Sequence, residues 1–474
     1  MTVESLNSIA VTQDEGDARS PTFAIDATGL LSWGDGALAG IQRIEDFLIK
    51  AAFADPDPDI EVVALNLSNQ RFRKLYPFEQ KRLSADHIAP FRVRRWAGSA
   101  TALRHALKAI RDFPMAKREA DRQLASMATN GDTGLRFIAT RLLFRTYRLY
   151  RRAHRRFGWS KPAVPPPPIG IELSTVLISH QVLVGDNRAP VSNTTNTIAF
   201  LCHDLIPTIR PDLVSQGKLE KAFGPNLESL VRSGATAFCT SHAAGQMLTS
   251  HMSQAGISVA GLHRFPMPSL LHEAASRRNM TSRLEASEPF VLYCSTIEVR
   301  KNHIMLARIW QQAREEGVKL PKLICVGRRG WMIEELEAYL KSHPELAQSI
   351  VFTGPISDDD LIGYYRTASF GVFPSHIEGW GYAASECLDF GVPVIVSTTP
   401  SLIEATGGLM PAIDSTDQAG WYAAIRRMSE DKAWHASLSD SIARQHRPTS
   451  VAASWAAIKA GLQATGTSAG PQRK

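Results

Sequence analysis

Residues 375–397 read SHIEGWGYAASECLDFGVPVIVS. Glu378 and Glu386 stand on either side of a Gly379-Trp380-Gly381 turn, with the apolar run SFGVF before it and VPVIV after it. YAASECLDF has the composition of a helix, which Gly391 and Pro393 stop. Strand, glycine loop, helix and strand in that order form the repeating unit of a parallel, wound sheet, whose ligands bind at the carboxyl ends of the strands. The amides of Gly379, Trp380, Gly381 and Tyr382 fall where the loop enters the helix, a position suited to an anionic or hydroxyl-rich ligand. Glycine lets the backbone come close to it. Glu378, in the loop, can accept hydrogen bonds from sugar hydroxyls. Glu386, about a turn inside the helix, can accept a pair from the vicinal hydroxyls of a ribose. Two glutamates at this spacing, taken alone, are more often a helix-terminal acid and a solvated one, because short motifs match by accident.

The neighbouring sequence has the same rhythm. FVLYCST, KLICVG, SIVFTG, SFGVFPS and VPVIVS are short apolar runs ending in Gly, Ser or Thr, each followed by a helical pattern. Upstream, TFAIDATGLL, IEVVALNLS, STVLISH, NTIAFLCHDLIP and ATAFCTSHAAGQML form a second α/β series. There SWGDGALAG reads as a loop, and IQRIEDFLIKAA reads as a helix with Ile41, Ile44, Phe47, Leu48 and Ala51 on one face. The expected organisation is a disordered lead (1–21), a first lobe (22–271), an interlobe linker (272–288), a second lobe (289–448) and a C-terminal helix and tail (449–474). The alternation breaks over 91–168, which reads as a basic helical insertion closed by KPAVPPPPIG. Four consecutive prolines exclude helix and central strand and make a stiff linker.

Composition narrows the classes. A chain of 474 residues is too long for one core. Its 44% hydrophobic and 21% charged content is that of a folded soluble protein. The five cysteines are widely spaced and contain no C-x-x-C pair, so they read as reduced core thiols and not as zinc ligands. The first twenty residues have neither the basic nor the apolar segment of a signal peptide. No apolar run approaches the roughly 18 residues of a spanning helix. These features predict a cytoplasmic protein. The net charge of +7 is localised: residues 101–161 hold 15 Lys/Arg against 4 Asp/Glu, a local +11, so the remainder carries −4.

In context, the opening stretch resembles the E-x7-E signature of the retaining glycosyltransferases of family four, of the bacterial surface-polysaccharide mannosyl and rhamnosyl type. The likeness runs in order through VLYCSTIEVRKNH, LICVGRRGW, VFTGPISDDDLIGYYRTAS, VFPSHIEGWGYAASECLDFGVPVI and TTPSLIEATGG. The first lobe resembles the family in IDATGLL with AGIQRI, in CHDLIPTIRPDL and in CTSHAAGQML. The resemblance implies an α/β, GT-B fold: two facing Rossmann-like lobes, with acceptor on the first, nucleotide sugar on the second and the basic helical insertion in the first. It puts Arg300 and Lys301 on the donor diphosphate, Glu378 on the donor sugar, Glu386 on the ribose and His203 across the cleft near the transferred sugar. It also implies that Phe352, Thr353 and Gly354 line the base and that the amides of residues 379–382 meet the phosphates. Gly40 would let the first-lobe loop close over the phosphates, and Thr296 and Gly327 complete the donor pocket. A lone histidine is more often structural, and basic residues at a helix start are often merely solvated. Two departures stand out. Ser295-Thr296 occupies the family's Gly-Arg position, so Arg300 must supply the missing cation. EGWGYA replaces EGFGLP, which removes any inference about sugar specificity.

The implied activity is transfer of a hexose, from GDP-mannose in preference to a UDP-sugar, to a lipid-linked or growing polysaccharide. No metal or other cofactor is expected. The alternatives are a non-catalytic GT-B scaffold, which Ser295-Thr296 favours, and a sugar-nucleotide epimerase. In the insertion, Arg141, Arg145, Arg148, Arg152 and Arg155 fall on one helix face. Leu135, Ala139, Leu142, Leu143, Tyr147 and Tyr150 lie mostly opposite. Such a stripe suits an anionic membrane surface at the inner face of the cytoplasmic membrane. A solvated face of a helix packed on its own lobe is the equal alternative, and no nucleic-acid module is present.

Overall fold

The computed structural model describes residues 23–31, 40–66, 71–75, 77–85, 175–178, 197–215, 218–278 and 288–468. The lead, the glycine loop before Gly40, the tetraproline segment and the whole arginine stripe lie outside the described residues.

The first lobe is built on seven strands: β1 (Phe23–Asp26), β2 (Ile60–Asn66), β3 (Arg71–Lys74), β4 (Thr175–Ile178), β5 (Thr197–Cys202), β6 (Thr236–Cys239) and β7 (Gly261–Arg264). Their spatial order is β3-β2-β1-β4-β5-β6-β7. All neighbours are parallel except β3, which runs antiparallel along the β2 edge. Side chains alternate between two cores, as the two-residue period of a strand requires. Val176, Phe200 and Ala237 join the cluster on one face, and Leu177, Leu201 and Phe238 join the other. The helix Gly40–Ala54 covers the second face with Ile44, Phe47 and Leu48.

The second lobe holds β8 (Phe290–Cys294), β9 (Lys322–Val326), β10 (Ile350–Gly354), β11 (Phe370–Phe373), β12 (Val394–Ser397) and β13 (Ala412–Ile413). They are ordered β10-β9-β8-β11-β12-β13 and all parallel. From β8 the chain winds outward to β10, then returns to the other side of β8 as β11. The winding direction therefore reverses between β8 and β11, which opens a crevice at their carboxyl ends. A single core of buried aliphatic and aromatic side chains, including Trp421, Tyr293 and Tyr365, supports this sheet.

The chain crosses between lobes twice. Leu271 and Ala275 of the helix Leu270–Arg277, in sequence terms mostly linker, are buried in the second-lobe core. The last helix, Val451–Ser468, returns to the first lobe, where Trp455, Ile458 and Leu462 pack beneath the sheet. Polar ties hold it there. The Trp455 indole donates to Asp55 at 2.5 Å, Lys459 pairs with the same carboxylate at 2.9 Å, and the Ser454 hydroxyl donates to the Pro266 carbonyl at 2.7 Å. All five cysteines are free, and four are buried. Among the described residues no helix is long and apolar enough to cross a membrane.

Candidate active site

The segment after β8 forms one wall of the switch-point crevice. It runs beside the segment after β9: Ile297 N donates to Arg328 O at 2.9 Å and Gly330 N to Ile297 O at 2.7 Å. The two come so close at Gly327, where φ is 149°, that a Cβ there would lie 2.0 Å from the Ser295 carbonyl oxygen. Only glycine permits that approach. Thr296 packs against Gly330 in the same place. The chain then makes a tight turn, Val299–Lys301, ended by Asn302 in the left-handed conformation. The Asn302 amide donates to Ser415 O at 2.8 Å, and the Tyr293 hydroxyl donates to Lys301 O at 2.5 Å. Arg300 and Lys301 thus project from a turn clamped on both sides.

The opposite wall is the loop after β11. Glu378 is 5% exposed. Arg300 Nη1 donates to its Oε2 at 2.7 Å, and the Lys301 ammonium pairs with its Oε1. Arg300 also donates to Ile377 O at 2.9 Å and pairs through Nη2 with the buried Glu298 at 2.5 Å. Two acids and two bases form one neutral, buried cluster. Burial works against the Glu378 charge, but Arg300 and Lys301 overcome it and hold the carboxyl at about 2. For Glu298 burial prevails over the same cations and raises its carboxyl. Arg300 is itself buried, which opposes its charge, yet Glu378 and Glu298 push its pKa upward.

Glu386 behaves in the opposite way. It lies in the helix Tyr382–Asp389, which begins after Gly381 at φ 101°, where a Cβ would strike Leu402 at 2.3 Å. The Tyr365 hydroxyl donates to Glu386 Oε2 at 2.7 Å. Burial raises its carboxyl to about 7, Arg43 and Tyr365 act against the rise, and Asp389 and Asp358 add to it. Cys294, Cys387 and Tyr382 complete its titratable surroundings. Phe352, Thr353 and Gly354 end the edge strand β10, and Gly327 N donates to Gly354 O at 3.1 Å.

The first lobe closes the crevice from the other side. His203 follows β5 and is buried, and its carbonyl accepts from the Thr240 hydroxyl at 3.1 Å. A Cβ on Gly379 would lie 2.3 Å from that carbonyl oxygen, so the loop after β11 touches the first-lobe backbone directly. The Ser241 hydroxyl donates to Gly379 O at 2.7 Å while capping the helix His242–Gln254. Glu404 accepts from the amides of His242 and Ala243 at 2.7 and 3.2 Å, where the helix N-terminus favours a carboxylate. Gly40 faces the Tyr382 ring, at 3.7 Å from its would-be Cβ, and the Tyr382 hydroxyl donates to Pro268 O at 3.2 Å. Trp380 and Tyr382 both pack on the first-lobe core. The structure therefore gathers Glu378, Arg300 and Lys301 into one cluster, brings His203 to Gly379, and sets Glu386 beside Tyr365. It adds Arg43, Ser241, Glu404 and Glu298, which sequence reasoning did not single out. Ser241 alone had a signal, as a helix cap after a strand. Among the described residues no group of His, Cys, Asp or Glu could hold a metal ion.

Two wound sheets facing across a cleft, with the charged crevice at the switch point of the second, define a protein of the GT-B fold. Residues 288–431, nearly the whole second lobe, match the family model described as glycosyl transferases group 1, so this lobe is a domain of that family. Similar characterised proteins include the serotype-specific mannosyltransferase WbdA of Escherichia coli, 24% identical over 215 residues, 42% of this chain and 26% of that protein. Another is the O-antigen chain mannosyltransferase B of Escherichia coli, 32% identical over 149 residues, 31% of this chain and 39% of that protein. The chain thus spans about a quarter to two-fifths of the length of these relatives. Among solved structures, the sucrose-phosphate synthase of Thermosynechococcus elongatus aligns over 95% of this chain and 99% of its own, with a TM-score of 0.56 and 17% identity. HepE of Anabaena, in complex with UDP and glucose, aligns over 93% and 99%, with a TM-score of 0.51 and 12% identity. At such identities these likenesses concern the fold.

Proposed function

We propose that the protein is a retaining, metal-independent glycosyltransferase that moves a hexose from a nucleotide-diphosphate sugar to a lipid-linked or growing polysaccharide in surface glycan biosynthesis. One observation carries the proposal: the buried Glu378–Arg300–Lys301 cluster at the switch point of a glycosyl transferases group 1 domain, in direct reach of the first lobe. Arg300 and Lys301 are the cations available to the diphosphate, and charge developing on the leaving nucleotide falls to them. Glu378, already ionised and fixed, accepts hydrogen bonds from the sugar, and Glu386 accepts them from the ribose. The acceptor hydroxyl enters from the His203 side. Transfer with retention on this plan needs no covalent nucleophile: the leaving phosphate takes the acceptor proton, and the protein supplies orientation and electrostatics.

GDP-mannose is the favoured donor, because the two Escherichia coli relatives are mannosyltransferases. A UDP-sugar is the second, since HepE was solved with UDP and glucose. Both substrates meet at the cytoplasmic face of the membrane, where the +11 segment would hold the protein to anionic lipid. The test is a panel of nucleotide sugars scored by thermal stabilisation. Stabilising donors are then incubated with undecaprenyl-diphosphate-linked glycans, and the new anomeric centre is read by NMR. Stabilisation by GDP-mannose and an α-linked product are expected. No stabilisation by any nucleotide sugar would sink the proposal and favour a scaffold.

A further inference from the structure

The first lobe sends one cation into the neighbourhood of Glu386. The helix Gly40–Ala54 and the helix Tyr382–Asp389 meet at their first turns, Gly40 against Tyr382. One turn further along each lie Arg43 and Glu386, so the meeting of the two starts brings this base and this acid toward each other. The Arg43 guanidinium is held by Asp358, through Nη2 to Oδ1 at 2.5 Å and Nη1 to Oδ2 at 3.3 Å. Asp358 opens the helix Asp358–Thr367, and Tyr365 of that helix donates to Glu386. A single network therefore runs from the first lobe through Arg43 to Asp358, and through the same second-lobe helix to the buried acid. Arg43 is also the strongest favourable charge acting on Glu386, which burial otherwise drives toward neutrality. The group 1 match begins at residue 288 and does not include Arg43.

We infer that Arg43 is a positioning residue for the donor site: carried on the first lobe, it keeps Glu386 in the state and place that grip a ribose, so nucleoside recognition is completed only when the two lobes meet. This inference rests on the donor-site reading above. It assigns Arg43 no contact with the reacting atoms. A neutral glutamic acid offers one acceptor fewer and a competing donor, so losing the counter-cation weakens the grip on vicinal hydroxyls. The diphosphate, held by Arg300 and Lys301, would be little affected.

The experiment pairs a protein change with a ligand change. Binding of GDP and UDP, and of their 2′,3′-dideoxy forms, is measured by calorimetry on the full chain at pH 7.5. Wild-type protein should lose about tenfold in affinity when the ribose hydroxyls are removed, the size of a hydrogen-bonded pair to a charge. In Arg43→Gln the same removal should cost less than about threefold. Arg43→Lys, which keeps a cation, should restore most of the difference. Full ribose discrimination in Arg43→Gln would overturn the inference and leave the donor site standing. If wild-type protein bound the diphosphates without ribose preference and Glu386→Gln changed nothing, the donor-site reading would fail with it. Thermal unfolding of each variant separates these results from misfolding.

Discussion

Glu378→Gln and Glu386→Gln should change stability in opposite directions, with opposite pH dependence. An ordinary glutamate titrates near 4.5. In the folded protein Glu378 is held at about 2 and Glu386 at about 7. Each displacement corresponds to about 3 kcal/mol between protonation states. The depressed Glu378 contributes stability that is present above 4.5 and is lost as pH falls toward 2. The raised Glu386 makes the folded state bind more protons than the unfolded chain between 4.5 and 7. Stability therefore falls as pH rises through that window, and the full penalty is reached above 7. Glu386→Gln keeps the volume and an acceptor for Tyr365 but cannot ionise. It should stabilise the second lobe by about 3 kcal/mol at pH 8 and by almost nothing at pH 4.5. For a unit of this size that is about 6–12 °C in the melting temperature. Glu378→Gln should cost about 3 kcal/mol at pH 8, because Arg300 loses one of two buried partners and Lys301 loses the carboxylate it pairs with. Scanning calorimetry at pH 5 and pH 8 reads both. If Glu386→Gln melted below wild type at pH 8, or if the two variants shifted in the same direction there, the assignment of opposite electrostatics to the two acids would be wrong.

Other outcomes follow from the same geometry. Glu386→Ala should weaken a free nucleoside diphosphate and its sugar nucleotide alike by about 1–3 kcal/mol, whereas Glu378→Ala should spare the free diphosphate and damage transfer; calorimetry showing equal losses would contradict this division. Lys301→Ala, which leaves Arg300 on Glu378, should lower kcat about a hundredfold, and wild-type turnover would remove Lys301 from the chemistry. Gly379→Ala puts a methyl group 2.3 Å from the His203 carbonyl, so small-angle scattering should show a more open molecule and kcat/KM should fall about tenfold, with each lobe still folded. The triple change Arg145→Gln/Arg148→Gln/Arg152→Gln should nearly abolish binding to vesicles containing acidic lipid, at about 1 kcal/mol per arginine, and unchanged binding would leave the stripe as a solvated face.

Most of the second lobe was legible because its strands are buried on both faces and read as unbroken apolar runs. FVLYC, FGVF and VIVS are of this kind. Two first-lobe strands had no such signal. β3 is RFRK on the antiparallel edge, and β7 is GLHR, half-exposed at the other edge, so neither shows an apolar run. The C-terminal helix was expected, but nothing in VAASWAAIKAGLQATGTS says which lobe it covers. That follows from Asp55, some 400 positions earlier, accepting from Trp455 and pairing with Lys459.

Within the site, the motif marked where the acids lie along the chain but not what surrounds them. Glu378 and Glu386 are the same residue type eight positions apart, and no local rule separates their charge states. Topology does. β8 and β11 are neighbours only because the sheet reverses its winding between them, and this sets the Arg300–Lys301 turn against the loop that carries Glu378. Glu386, a turn into the helix, faces the core side, where Tyr365 is its hydrogen-bond donor and the compensating cation has to come from the other lobe. Glu378 is therefore held ionised by cations of its own lobe, whereas at Glu386 the cation that opposes the effect of burial is Arg43 of the other lobe. A composite dependence of this kind leaves no trace in a motif, because Arg43 lies more than three hundred positions from Glu386 and approaches it only across the closed cleft.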